Sequence, residues 1–158
     1  MTTIIPYTRL MALTCPDCRE LLRTEIAGED AARDDGPYRT ASLSKFHDIN
    51  AVEIDRCHGC GGIWFDAGEL SRFLRQKPTG GTSVDEIEPT RRLDRVGPAQ
   101  ASCLRCRGSM VLVRSEGVPW MIYAHCVRCR GIWLEGSNVA RLDDPFVAML
   151  ALVSGEFA

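Results

Sequence analysis

All eight cysteines of the chain fall into four C-x-x-C pairs: Cys15-Pro-Asp-Cys18, Cys57-His-Gly-Cys60, Cys103-Leu-Arg-Cys106 and Cys126-Val-Arg-Cys129. No other feature constrains the fold as strongly. Two intervening residues let a tight turn aim two thiolates at one ion, and two such turns complete the tetrahedral four-sulfur shell that Zn²⁺ prefers. Four soft sulfurs disfavour magnesium and calcium. The spacing therefore predicts two zinc ions.

The order of pairing follows from an internal repeat. Aligning Cys57 with Cys126 also aligns Cys60 with Cys129, Gly62 with Gly131, Ile63 with Ile132, Trp64 with Trp133 and Arg72 with Arg141, all 69 positions apart. The first knuckles, Cys15/Cys18 and Cys103/Cys106, stand 88 positions apart. Each repeat thus supplies one early and one late knuckle, and the first repeat carries a 19-residue insertion within residues 24–47, a stretch rich in polar, acidic and turn-forming residues. Doubling the enclosed loop costs about 0.6 kcal/mol in closure entropy. A structural zinc site contributes roughly 10–16 kcal/mol of apparent binding. The insertion leaves the ligand assignment intact: Cys15, Cys18, Cys57 and Cys60 form site 1, and Cys103, Cys106, Cys126 and Cys129 form site 2.

The motif CPDC followed by VEIDRCHGCGGIWFDAGEL resembles the TFIIB-type zinc ribbon, a bacterial transcription-factor zinc-finger domain. The resemblance covers Cys15–Cys18 and Val52–Leu70, and the second repeat keeps the cysteines and Gly-Ile-Trp. It implies a small, metal-stabilised α+β fold: two tandem zinc ribbons of short antiparallel strands plus short helices. It also implies an association with transcription. The expected organisation is ribbon 1 over residues 13–75, a linker over 76–100, ribbon 2 over 101–143 and an apolar C-terminal helix over 144–158.

Local patterns agree with that architecture. Extended segments precede each late knuckle, over residues 51–55 and 120–124, and the first alternates apolar and polar residues as a half-buried strand does. After each late knuckle, Gly62 and Gly131 are expected to turn the backbone, with Trp64 and Trp133 covering the metal cluster. Asp66 and Glu69 have capping-box spacing, ahead of Leu70, Phe73 and Leu74 on one helical face. In the second repeat the cap is expected at Ser137, with Val139 and Leu142 keeping the apolar face. Residues 76–100 hold three prolines and three glycines, which suits a linker that is flexible in part. Asp144-Pro145 begins the last helix as an N-cap and N1 pair. The helix, FVAMLALV, is apolar nearly all round, and Phe146 and Leu150 are candidates for partner binding or self-association.

Composition and charge narrow the function classes. A formal net charge of −2 argues against a surface wholly devoted to nucleic acid. The charge is uneven, however. Between Ala101 and Arg141, six arginines (Arg105, Arg107, Arg114, Arg128, Arg130 and Arg141) face only Glu116 and Glu135, a local balance of +4, whereas repeat one is acidic on balance. Arg105, Arg107, Arg128 and Arg130 are candidate partner-binding residues; the competing explanation is that they compensate the formal −2 of a zinc ion bound by four thiolates. No aromatic interleaving marks a base-stacking platform. No apolar run reaches the roughly 18 residues of a membrane-spanning helix, and the N-terminal stretch lacks a signal-peptide pattern. The expected setting is cytoplasmic, where paired cysteines more often hold metal than form disulfides.

Eight cysteines filling two sites leave no open coordination position of the kind catalytic zinc keeps. His58 and His125 adjoin knuckles without being needed as ligands, and His47 is expected at the surface. The sequence carries no Ser/His/Asp arrangement and no phosphate-binding glycine loop, so no enzymatic activity is expected. The function expected is a non-catalytic zinc-ribbon module acting as an interaction adaptor, with protein the expected partner. One alternative is a transcription-associated or nucleic-acid-binding factor acting through ribbon 2. Another is a thiol redox or rubredoxin-like electron-transfer protein, since a C-x-x-C pair can exchange disulfides and four cysteines also suit iron.

Overall fold

Trp64 and Trp133 lie directly opposite each other on two antiparallel strands, with Ile63 opposite Leu134 and Phe65 opposite Ile132. The duplicated Gly-Ile-Trp segments therefore pair with each other and join the two repeats into one sheet. The computed structural model describes residues 12–27, 52–76, 93–154 and 157. Its strands are β1 (Arg23–Ala27), β2 (Val52–Arg56), β3 (Ile63–Phe65), β4 (Asp94–Ser102), β5 (Ser109–Arg114), β6 (Ile122–Cys126) and β7 (Ile132–Leu134). Helix α1 (Glu69–Arg75) follows β3, and α2 (Gly136–Arg141) and α3 (Pro145–Val153) follow β7. The seven strands run β1-β2-β3-β7-β6-β5-β4 across the sheet, with every neighbouring pair antiparallel.

The registers give the sheet a local twofold pseudosymmetry about the Trp64/Trp133 pair. Asp55 sits opposite Trp64 as Ala124 sits opposite Trp133. Thr24 sits opposite Asp55 as Leu112 sits opposite Ala124. Thr24 and Leu112 keep the 88-position offset of the early knuckles, so β1 belongs to the repeat itself. The insertion thus lies after Ala27, inside the expected span of residues 24–47; residues 28–51 lie outside those described, His47 among them.

Alternation along the strands splits the sheet into two buried faces. Ile63, Phe65, Ile132 and Leu134 point to one side, where they join Leu70, Phe73 and Leu74 of α1, Val139 and Leu142 from the α2 region, and Ala148, Ala151 and Leu152 of α3. Phe65 and Phe73 meet with ring centroids 5.3 Å apart, and Tyr123 meets Phe157 at 5.2 Å. Trp64 and Trp133 point to the other side, into a cluster that also contains Cys15, Cys57, Cys103 and Cys126. One face of the sheet is a hydrocarbon core shared by both repeats, and the other carries the cysteine knuckles.

Three local expectations change. Residues 94–100, expected within a linker, form most of β4. Pro98 is compatible with a strand there because β4 is an edge strand, and its pairing with β5 has irregularities between Arg95 and Gly97 and between Pro98 and Ser102. Residues 77–92 lie outside those described. The capping box is half made: the Glu69 carboxylate accepts from the Asp66 N–H at 2.8 Å, but the N-cap position is Gly68 and the Asp66 side chain is used elsewhere. Ser137 lies inside α2, whose N-cap is Glu135 without a side-chain cap bond.

The C-terminal helix starts as its sequence indicates, with the Asp144 carboxylate accepting from the Phe146 N–H at 2.9 Å. The shared core gives it more apolar surface than either small ribbon offers alone. Ala148, Ala151 and Leu152 are buried, Leu150 is half-buried against the core, and Phe146 is 62% exposed. Leu150 is therefore mainly a packing residue.

Candidate metal centres

The four knuckles share one backbone design. The N–H of the residue after the second cysteine donates to the carbonyl of the first: Arg19 to Cys15 at 3.1 Å, Gly61 to Cys57 at 2.9 Å, Arg107 to Cys103 at 3.0 Å and Arg130 to Cys126 at 2.8 Å. All four donors are left-handed, with φ of 69°, 79°, 59° and 63°. For an arginine this conformation costs on the order of 1–3 kcal/mol, which the zinc binding energy readily offsets. In three of the knuckles the second cysteine's N–H also points at the first cysteine's sulfur, at 3.4–3.5 Å. Thiolate-directed N–H groups are what an anionic sulfur cluster requires.

These turns bring the cysteines together as expected. Cys15, Cys18, Cys57 and Cys60 form one group and Cys103, Cys106, Cys126 and Cys129 the other, with the sulfurs of each group within 4.8 Å of one another. The closest approaches are 3.6 Å (Cys15 to Cys60), 3.3 Å (Cys18 to Cys57), 3.4 Å (Cys103 to Cys129) and 3.5 Å (Cys106 to Cys126). A tetrahedron with Zn–S bonds of 2.3 Å has sulfurs about 3.8 Å apart, so each group can hold a zinc ion with slight relaxation. In both groups the first cysteine of each knuckle is buried and the second more exposed.

Proton affinities diverge within each group: Cys57 and Cys126 are lowered, whereas Cys18, Cys60, Cys103 and Cys129 are raised. Burial disfavours the Cys57 thiolate, yet donation from the Cys60 and Gly59 backbone and from Cys18 brings its pKa down to about 7. Cys126 is likewise lowered to about 7 against the effect of burial, by the Cys129 and Arg128 backbone and the Cys106 thiol. Burial, with the neighbouring Cys15 and Cys57, pushes Cys60 up to about 12; burial and Cys103 push Cys129 up as well. Four crowded sulfurs cannot all ionise beside one another without a cation, and a divalent ion removes that conflict.

The indoles reach across the pseudo-dyad. A methyl group at Gly131 would lie 2.1 Å from Trp64 Cζ2, and one at Gly62 would lie 2.4 Å from Trp133 Cζ2. Neither glycine has a positive φ, so both serve close approach to the other repeat's ring rather than the expected turn. Each indole N–H has a partner: Trp64 donates to Asp66 at 2.8 Å and Trp133 to Asp17 at 3.1 Å.

Asp17 and Arg105 hold the same position in the two early knuckles, and both reach into the opposite repeat. Arg105 donates to Asp55 at 2.6 Å and to Asp66 at 3.1 Å, while Thr24 donates to the other Asp55 oxygen at 2.6 Å. Burial acts against the guanidinium, but the charges of Asp66, Asp55 and Glu69 prevail and raise its pKa. Arg105 is thus an inter-repeat clip, which corrects its candidacy as an exposed partner-binding residue. Arg107, Arg128 and Arg130 are exposed around site 2. His58 pairs with Glu25, not with the metal cluster. His125 is half-buried, and burial together with Arg130 and Arg95 lowers its pKa.

Sequence reasoning misses this clip because it treats the knuckles one at a time. The signal was the substitution of Asp17 by Arg105 between otherwise aligned knuckles, beside an unexplained Asp55 on an apolar strand.

A family model described as the transcription factor zinc-finger, of the TFIIB zinc-ribbon type, matches residues 41–76. That span covers the late knuckle and helix of repeat one; the second repeat is evident from its cysteine cluster. No curated protein and no solved structure matches the chain.

Proposed function

We propose that the chain is a non-catalytic, cytoplasmic tandem zinc-ribbon protein that works as an interaction adaptor with a protein partner. The observation that carries this reading is the integration of two complete four-cysteine clusters into one sheet face, locked by Trp64, Trp133 and Arg105. Four sulfurs per ion saturate zinc and leave no position for a substrate or water, which supports a scaffold role for the metal and the absence of catalysis. The repeats share the cysteine knuckles and Gly-Ile-Trp and differ in the surfaces around them, and a shared scaffold with divergent surfaces suits recognition.

A second reading has its own support. Arg107, Arg128 and Arg130 are exposed beside site 2, and the matched family is described as a transcription factor zinc-finger. On this reading ribbon 2 contacts a phosphate backbone. Affinity capture with the full zinc-loaded chain, with and without nuclease, separates the two. Protein capture that survives nuclease supports the adaptor; capture lost with nuclease, and DNA or RNA binding that weakens steeply with salt and is lost on replacing Arg107, Arg128 and Arg130, supports the alternative.

A further inference from the structure

The pseudosymmetry provides an internal control on one surface. In repeat one, the metal-side face beyond Trp64 is filled: Asp66 and Asp55, the latter also held by the Thr24 hydroxyl, accept from the Arg105 side chain. In repeat two the equivalent positions are Leu112, Ala124 and Glu135, and the side chain that reaches in is the shorter Asp17, which stops at the Trp133 N–H. Repeat two has at this place an open groove of about 430 Å³ whose lining includes Leu112, Ile122, Ala124, Trp133, Glu135 and Arg141. This volume is in the range of pockets that receive small ligands and side chains.

The rim carries recognition groups. Trp120 is 47% exposed and Ile122 39%. The Arg141 guanidinium stacks over the Trp120 ring at 4.4 Å, which holds the planar fork in place while leaving its edge N–H groups available. Among the described residues no carboxylate pairs with Arg141: the counterpart of Asp55 is Ala124, and Glu135, the counterpart of Asp66, lines the groove without pairing with the guanidinium. Exposed tryptophan and a pre-oriented arginine are the side chains that most often anchor protein interfaces.

We infer that this groove docks an extended peptide segment of a protein partner, an aliphatic side chain entering over Leu112, Ala124 and Trp133 and an adjacent Asp or Glu carboxylate pairing with Arg141. The inference rests on the adaptor reading and names its docking site. The carboxylate is selected by the unpaired guanidinium of Arg141, fixed over Trp120, and the aliphatic neighbour by Leu112, Ala124 and Trp133; Glu135 on the same lining leaves room for one acidic side chain at Arg141 rather than an acidic run.

The test uses the full zinc-loaded chain and acetylated hexapeptides carrying Leu-Glu or Ile-Asp pairs, with the amide counterparts Leu-Gln and Ile-Asn. The three tryptophans give three indole N–H signals in a heteronuclear NMR spectrum. The expected result is that acidic peptides shift the Trp120 and Trp133 signals and leave Trp64 in place. Amide peptides should bind at least about tenfold more weakly, as loss of a charge-assisted bidentate pair requires. Arg141→Gln should reproduce that loss, with Arg141→Lys intermediate. Ile122→Glu, which installs the residue found at the equivalent position in repeat one, should abolish binding while the Trp64 signal stays unchanged. Equal binding of acidic and amide peptides, no response at Trp120 and Trp133 at millimolar peptide, or displacement of these signals by single-stranded oligonucleotide instead would overturn the inference. A nuclease-resistant protein partner whose capture is unaffected by Arg141→Gln would overturn the groove and leave the adaptor standing.

Discussion

Replacing Arg105 by methionine removes the charge that joins the repeats while keeping much of the side chain's length. The guanidinium is 15% exposed and its Asp55 partner 6%, so the substitution strands a carboxylate in the interior. Breaking a fully buried pair from one side costs roughly 3–5 kcal/mol. Thr24 still donates to Asp55, which places the loss at the low end. The Asp66 contact, with that carboxylate a third exposed, adds no more than about 0.5 kcal/mol after solvent screening. The expected destabilisation is about 3 kcal/mol. With a urea m-value of about 2 kcal/mol per molar, the unfolding midpoint of the zinc-loaded protein should fall by about 1.5 M. Because Arg105 sits inside a knuckle, zinc content is measured in parallel and should remain two ions per chain. The decisive arm is a double variant: with Asp55→Ala, which installs the residue found opposite Trp133, Arg105→Met should recover at least half of the loss. A single-variant loss below 1 kcal/mol, or an equal loss with and without Asp55→Ala, would refute the assignment of Arg105 as a clip.

Three further outcomes follow from the same structure. Gly131→Ala places a methyl 2.1 Å from the Trp64 ring and should cost about 2 kcal/mol as an overpacked core position, read as a fall of about 4–8 °C in thermal midpoint; an unchanged midpoint would show that the rings do not cross the dyad. Leu152→Ala, at a buried position of α3, should lose about 2–4 kcal/mol, whereas Phe146→Ser, on the exposed side, should change stability by less than about 0.5 kcal/mol; calorimetry of the pair checks that the helix packs on the core. The double variant Cys57→Ser/Cys60→Ser should lose one zinc ion by native mass spectrometry and still melt in a single, lowered transition, because both repeats share one sheet and one core; two separate transitions would mean that the repeats fold independently.

The cysteine spacing made the metal ligands legible before any coordinates, because a C-x-x-C turn has few ways to place two sulfurs. The helix-face residues Leu70, Phe73 and Leu74 and the Asp144 cap were legible for a similar reason: their partners are local. What the sequence did not disclose is long-range. Nothing in Gly-Ile-Trp says that two copies will pair with each other, yet that pairing decides why Gly62 and Gly131 lack side chains. Residues 94–100, rich in signals for a linker, become an edge strand only because β5 is there to receive them. Arg105 read as one member of a basic cluster; its burial depends on Asp55 and Asp66, which sit 50 and 39 positions away. The groove beside Trp120 is likewise a product of the tertiary structure: Arg105 occupies in repeat one the place that repeat two leaves open.

Each four-cysteine group is built to saturate one zinc ion with sulfur, and zinc K-edge X-ray absorption on the purified chain tests that most directly. The expected result is two zinc ions per chain and a first shell fitted by four sulfurs at about 2.3 Å, with no nitrogen or oxygen scatterer. A shell averaging fewer than four sulfurs, with a light atom near 2.0 Å, would reveal an open or histidine-bound position and contradict the structural role proposed for the metal.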